Sequence, residues 1–294
     1  MLPAPFTNDF LNRLEVLRLR TRKEVLGNRP GAYAAPRRGT SLEFADYRKY
    51  SPGDDLRYVD WGIFARTDRL YVRLFHEEVE LFAYVFIDAS ASMAFPSPRE
   101  KFTAASNVAL AVSYVVLANQ DHVRLHAVNA ANSASPFLHG RNKIAELIDF
   151  TRRLTPAGAP DLAASLGDHL QRVRRPGKAI LISDFLVPAA SYQKAFNLLR
   201  TFNLDVAAVQ VLSRAELEPP LAGELKMIDS ESGEELNIRW NEATRRAYGE
   251  RLERHNRELK SACHQSGVQY ALYRSDDDLT EFVLKTLPEM RLFK

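Results

Sequence analysis

The chain has one cysteine, Cys263, in 294 residues. That excludes an internal disulfide framework and any zinc site built on paired cysteines. A lone thiol fits a reducing compartment, and the expected location is cytoplasmic. The longest mostly apolar helical stretch, Val108 to Ala118, is interrupted by Ser113 and falls short of bilayer length, so no membrane span is expected. The opening Met1-Leu2-Pro3-Ala4-Pro5-Phe6 lacks a basic segment followed by an apolar run, and no signal peptide is expected. Charge of one sign is also scarce. Forty Lys and Arg face 37 Asp and Glu, a net +3 that does not call for a nucleic-acid partner.

The common catalytic signatures are missing. There is no G-x-x-x-x-G-K-S/T phosphate loop and no G-x-S-x-G nucleophile elbow. None of the seven histidines forms a helical H-x-x-x-H pair. His122 and His126 have that interval but fall across a predicted turn and strand.

What is present begins with Leu81-Phe82-Ala83-Tyr84-Val85-Phe86-Ile87, an apolar run rich in aromatic and branched residues. It reads as a strand buried on both faces. Asp88-Ala89-Ser90-Ala91-Ser92 follows at once and offers a carboxylate and two hydroxyls at alternate positions. These are hard oxygen donors of the kind Mg²⁺ takes, with room left for water and an outside ligand. Lys178-Ala179-Ile180-Leu181-Ile182-Ser183-Asp184 is a second buried strand that ends in Asp. Open parallel sheets bind ligands beyond the carboxyl ends of their strands, where the strand order reverses. Two such Asp on adjacent strands would repel by about 3 kcal/mol at 5 Å and an effective dielectric near 20, and a divalent cation would reverse that sign. The competing reading makes both Asp caps of helices or turns.

Strands and helices alternate along most of the chain. Strands are predicted at 123–128, 206–212 and around 268–272, and helices at 143–154, 161–173, 189–202, 241–265 and 279–287. Ser97-Pro98-Arg99-Glu100 supplies an N-cap, a first-turn Pro and a capping-box Glu for a further helix. The pattern predicts an α/β fold, a doubly wound and mainly parallel sheet covered on both faces. Leu225 and Met227 face Leu236, Ile238 and Trp240 across 229–233, which reads as a small β-hairpin insertion at about 216–241. At the other end, apolar spacing predicts a helix from Asn8 to Leu26. Eight Lys or Arg against two Glu between Arg13 and Arg38 form a basic arm.

Residues 43–61 are dense in charge and aromatics, with Pro52-Gly53 at the centre of a type II turn. Arg48, Asp54, Asp55, Arg57, Asp60 and Arg66 are expected to form a buried ion-pair network, since charges are rarely buried unless paired. Trp61, Tyr47 and Tyr50 would pack around it and dock the N-terminal segment onto the sheet.

The Asp-x-Ser-x-Ser loop resembles the metal-ion-dependent adhesion site of von Willebrand factor A domains. Tyr47-Arg48 through Pro52-Gly53-Asp54-Asp55, Arg57 and Asp60-Trp61, then Ala65-Arg66, resembles the bacterial family known as domain of unknown function 58. The resemblance implies an N-terminal extension over 1–80 packing on a von Willebrand factor A-like domain over 81–294. It also implies a cytoplasmic adaptor or assembly partner of a MoxR-type AAA+ ATPase, without enzymatic activity. Carried over by position, Asp88, Ser90, Ser92 and Asp184 would be ligands to weakly bound Mg²⁺ or Mn²⁺. The position usually held by a Thr is Pro160, and the adjacent Asp161 is either a further ligand or the N-cap of the next helix.

Three functions remain open from the sequence. The first is a metal-dependent protein-binding module that meets its ATPase or a client presenting an acidic side chain. The second is a phosphohydrolase with a strand-end Asp as nucleophile, though Ser90 stands where such enzymes need a general acid. The third is binding of nucleic acid or an anionic surface through the basic arm.

Overall fold

The computed structural model describes residues 5–20, 43–76, 81–96, 100–129, 133–158, 161–171, 173, 175–228 and 234–293. In chain order the elements begin with α1 (Asn8–Leu14), β1 (Glu43–Lys49), α2 (Trp61–Thr67), β2 (Tyr71–His76) and β3 (Phe82–Asp88). Next come α3 (Glu100–Ala118), β4 (His122–Val128), β5 (Leu138–His139), α4 (Ile144–Arg153), α5 (Leu162–Leu170), β6 (Gly177–Ser183) and α6 (Ala189–Thr201). The chain continues through β7 (Leu204–Leu212), α7 (Arg214–Leu217), β8 (Gly223–Ile228), β9 (Glu235–Trp240), α8 (Glu242–Gln265) and β10 (Gln269–Arg274). A helical segment over 279–289 closes it.

These elements divide into two compact units, residues 1–22 with 81–294, and residues 23–80. The first unit is built on a six-stranded sheet in the order β10-β7-β6-β3-β4-β5. All neighbours are parallel except the short edge strand β5. This is the doubly wound α/β sheet that the alternation of elements predicts.

The central strand β3 is buried along nearly its whole length, and its side chains divide between two cores. Ala83, Val85 and Ile87 join α1, α3 and α4 on one face. Tyr84 and Phe86 join α5, α6 and α8 on the other. That is the period-two alternation of a strand with apolar layers above and below. Gly177 opens β6 where a Cβ would lie 2.0 Å from the Phe82 carbonyl oxygen. Only glycine lets the two central strands approach there.

Several boundaries differ from the sequence expectation. Helix α1 stops at Leu14 because the chain is recruited elsewhere: Leu19 bridges to Phe293, and Arg20 N donates to the Leu292 carbonyl at 2.7 Å. Residues 6–19 therefore bury Phe6, Phe10, Leu11, Leu14 and Leu19 in the core of the first unit, so this stretch does not belong with the 23–80 unit. Most of the basic arm and the Ser97–Arg99 cap lie outside the described residues. Helix α3 runs 19 residues from Glu100 and is long and apolar enough to cross a membrane, although 83% of its apolar window is buried inside the fold. Its first turn holds Lys101, which is fully buried and paired with Asp184 and Glu216.

In the second unit, β1 and β2 pair antiparallel with a bulge at Phe44/Asp46. Ser51 to Asp54 closes the predicted turn, with Gly53 at φ +102° and a 3.0 Å hydrogen bond from Asp54 N to the Ser51 carbonyl. Among the described residues, the charged side chains from Arg48 to Arg66 do not form the buried network expected. Arg48–Asp54 (2.9 Å), Arg57–Asp55 (2.5 Å) and Arg73–Asp60 (3.1 Å) are partly exposed pairs, Tyr47 Oη donates to Asp60 Oδ2 at 3.0 Å, and Arg66 donates to the Gly62 carbonyl. Trp61 is 55% exposed. The carboxylates serve local backbone instead: Asp54 accepts from Ser51 N, Asp55 from Arg57 N, and Asp60 from Ile63 N as the N-cap of α2.

Gly177→Ala should destabilise the first unit by about 1–3 kcal/mol, the cost of overpacking against backbone that cannot move aside, read by urea denaturation. Asp60→Ala should remain folded with its main unfolding transition in place. A collapse of that transition would instead mark Asp60 as part of a buried pair.

Candidate functional site

From β3 the chain crosses through α3 to β4 on one side, whereas from β6 it crosses through α6 to β7 on the other. The strand order thus reverses between β3 and β6, the point in an open sheet where ligands bind. Ile87 pairs with Ile182 in register, which carries Asp88 and Asp184 to the same end of adjacent strands.

Asp88 is 2% exposed and closely held. One carboxylate oxygen accepts from Ser90 N at 2.9 Å and Asn129 Nδ2 at 3.0 Å, and the other from Ser183 Oγ at 2.6 Å. With two lone pairs per oxygen, one direction on the second oxygen is left over. Burial, and after it the charge of Asp184, pushes the Asp88 pKa above the usual carboxylate value against the pull of those hydrogen bonds. Immediately after Asp184, Phe185 takes φ +54°, a left-handed conformation uncommon for a bulky residue. Its amide donates to Ser183 Oγ and the next amide, Leu186 N, to Asp184 Oδ1, so this corner is shaped around the two acidic side chains.

Ser90 and Ser92 lie at the start of a short 3₁₀ turn, their hydroxyl oxygens 3.1 Å apart. The loop is pinned by Ala91 N to the Gly158 carbonyl at 3.0 Å and by Ala157 N to the Ala89 carbonyl at 2.8 Å. Two ligands at right angles around Mg²⁺, each at a direct distance of about 2 Å, would sit about 3 Å apart. The hydroxyl pair, which shares a hydrogen bond, has that spacing, so Ser90 and Ser92, in the same loop as Asp88, are oxygen donors of a type and spacing that fit a hard cation. Among the described residues, no group of three or more His, Cys, Asp or Glu side chains converges as a cage. A donor set of hydroxyls with one partly used carboxylate is a weak one.

Asp184 has a partner that sequence reasoning missed. Lys101, from the first turn of α3, is completely buried and reaches Asp184 Oδ2 at 2.7 Å and Glu216 Oε1 at 2.6 Å. Burial by itself would lower the lysine pKa, but the attraction of Asp184 and Glu216 together outweighs it and holds the ammonium above its ordinary value. Glu216 is aimed by its other oxygen, which accepts from Ser213 N at 2.8 Å and Ser213 Oγ at 3.0 Å in the capping box of α7. A signal for Lys101 was present: it is a lone lysine in an otherwise apolar helix, and such a charge is buried only when paired. Ser213-x-x-Glu216 was legible as a capping box, though nothing local pointed it at Lys101.

The remaining expected ligand is elsewhere. Asp161 is exposed and accepts from Ala164 N at 3.0 Å as the N-cap of α5, so it does not join Asp88. Pro160, at the expected Thr position, lies outside the described residues.

Residues 46–258, well over half of the chain, match the family described as "Protein of unknown function DUF58". The chain belongs to this family. Uncharacterized proteins of Mycobacterium bovis and Mycobacterium tuberculosis are each 27% identical to this DUF58 chain over 283 residues, covering 95% of it and 89% of the relative. Solved structures similar to it include the conserved hypothetical protein BatB from Bacteroides thetaiotaomicron (12% identity, 72% of this chain and 98% of that one, TM-score 0.42). Another is the vWF domain of the type V pili tip protein Mfa5 from Porphyromonas gingivalis (15% identity, 67% and 81%, TM-score 0.31). Both are distant likenesses.

The buried Asp88 of this DUF58 chain gives a pH signature. A carboxyl whose folded pKa is raised contributes stability fully present below the unfolded value of about 3.9, and that contribution is lost as pH climbs through the folded value. In EDTA, Asp88→Asn should therefore gain stability relative to the native chain as pH rises from about 4 toward neutrality. Urea denaturation followed by circular dichroism across that range measures the difference, and a pH-independent difference would show that Asp88 titrates normally.

Proposed function

We propose that this DUF58 chain is a protein-binding module whose contact surface is the rim at the β3–β6 switch point. In this reading Mg²⁺ or Mn²⁺ is held weakly by Ser90 and Ser92 with Asp88, while Asp184 stays with Lys101 as an outer support. The observation that carries it is the pair of hydroxyls at 3.1 Å beside a buried, partly used carboxylate at that point. Bound there, the cation would offer an open coordination position to a carboxylate from outside.

Two exposed apolar side chains flank the rim in sequence, Phe95 at 49% and Leu186 at 38%. They supply contact area of the kind that surrounds a charged anchor in protein interfaces. The expected partner, carried over from the family resemblance, is a MoxR-type AAA+ ATPase or a client presenting an acidic residue, in the cytoplasm. Turnover is not part of this reading. A phosphohydrolase would need a second acid two residues after the nucleophile, and Ser90 cannot protonate a leaving group at neutral pH.

A pulldown of a co-expressed MoxR-type ATPase, with native chain and Ser90→Ala/Ser92→Ala, in Mg²⁺ and in EDTA, tests this. Recovery should fall by about tenfold with either EDTA or the double substitution, the loss expected of a central interface contact. Recovery unchanged by both would remove the rim from the interface. Phosphatase activity that disappears in Asp88→Ala would replace the binding reading with an enzymatic one.

A further inference from the structure

Lys101 stands out because it has more negative partners than a buried lysine needs. It contacts Asp184 at 2.7 Å and Glu216 at 2.6 Å, and the Ile87–Ile182 register sets Asp184 at the same end of adjacent strands as Asp88. All four side chains are buried, with exposures of 0% for Lys101, 2% for Asp88 and Asp184, and 9% for Glu216. One ammonium against three carboxylates leaves a formal charge of minus two once all three are ionised. A buried residual charge is costly and is removed by protons or by a cation.

We propose that Lys101 is a tethered counter-ion that sets the cation preference of the rim: its ammonium cancels one of three buried carboxylate charges, so that the remainder matches one divalent ion. The proposal deepens the metal reading above and rests on it. Three features support a positioning role over plain ion pairing. Glu216 is fixed from behind by Ser213 N and Oγ, so its charge is held on Lys101 independently of Asp184. The Asp184 main chain is tied to β7 by Gln210 Nε2, which donates to its carbonyl at 3.0 Å. Both Asp184 oxygens also have partners, Oδ2 in Lys101 at 2.7 Å and Oδ1 in Leu186 N at 3.0 Å, which leaves Ser90, Ser92 and Asp88 as the donors for inner positions. A site built this way discriminates by charge: a monovalent ion leaves it negative and a trivalent ion leaves it positive.

Two substitutions then act in opposite directions. Lys101→Met keeps the side-chain length and removes one positive charge, so divalent cations should bind more tightly. Glu216→Gln keeps the shape and removes one negative charge, so they should bind less tightly. A unit charge a few ångströms beyond the ion in a partly buried site changes affinity by roughly tenfold or more.

The measurement is Mn²⁺ titration of the full-length chain, with free Mn²⁺ read by electron paramagnetic resonance and folding checked by circular dichroism. The proteins compared are the native chain, Lys101→Met, Glu216→Gln and the double variant. The expected result is a roughly tenfold tighter Lys101→Met, a roughly tenfold weaker Glu216→Gln, and a double variant close to native. If Lys101→Met does not fold, the fall in Glu216→Gln carries the test by itself. Shifts in the same direction, or none in folded proteins that bind Mn²⁺, would overturn the proposal and leave the metal reading standing. Binding by Lys101→Met with none by the native chain would overturn the metal reading of the native chain, since the ammonium would then replace the ion outright. No binding by any of the four proteins would overturn both.

Discussion

The parallel pairing of β3 with β6 governs where the buried acidic residues at the carboxyl ends of these strands end up. The close contact at Gly177 and Phe82 brings the two strands together at one end. From there the Val85–Ile180 and Ile87–Ile182 register runs without a break to the other end. Asp88 and Asp184 are consequently buried neighbours at one end of the sheet, and each carboxylate needs polar partners. Ser183, Ser90 and Asn129 answer for Asp88, and Lys101 answers for Asp184. A shift of β6 by one residue would turn its core side chains to the wrong face and take Asp184 away from Lys101.

The same sheet shows how a buried lysine is otherwise accommodated. Lys178, near the start of β6, is also fully buried and pairs with its register partner Asp205 at 2.8 Å and with the side-chain oxygen of Gln269. That cluster lies at the amino ends of β6, β7 and β10, away from the switch point, and ties three adjacent strands together. The Lys101 cluster lies at the carboxyl ends and recruits helix α3 and, through Glu216, helix α7 instead. Breaking either pair from one side would leave a buried charge exposed to low dielectric, a penalty of about 3–5 kcal/mol. Stability alone therefore does not distinguish the two lysines.

The two units use acidic residues differently. In residues 23–80, Asp54, Asp55 and Asp60 stay near the surface and satisfy nearby backbone N–H groups of a turn, a 3₁₀ turn and a helix start. In the first unit Asp88, Asp184 and Glu216 are buried, and beside local partners each has one from far along the chain: Ser183 for Asp88 and Lys101 for the other two. The run of charge at 54–60 thus corresponded to local capping, whereas Lys101 and the strand-end Asp88 and Asp184, set in apolar segments, are buried with partners from distant parts of the chain.

Local pattern alone determined the strands at 82–88 and 177–183, the helices that flank them and the acidic residues at the strand ends. Each of these depends on apolar periodicity or on capping chemistry within a few residues. The pairing of Ser90 with Ser92 follows from the same local spacing. Tertiary structure decided what no window of sequence contains. Lys101, Asp184 and Glu216 are separated by 83 and 32 positions along the chain, yet they meet around a single ammonium. The end of α1 was set by a bridge from Leu19 to Phe293, at the far end of the chain. Asp161 could cap or ligate, and the nearby Ala164 amide took it. Periodicity reports which face of an element is apolar, but which charges share a buried corner depends on strand order and register, and those are fixed only when the whole sheet assembles.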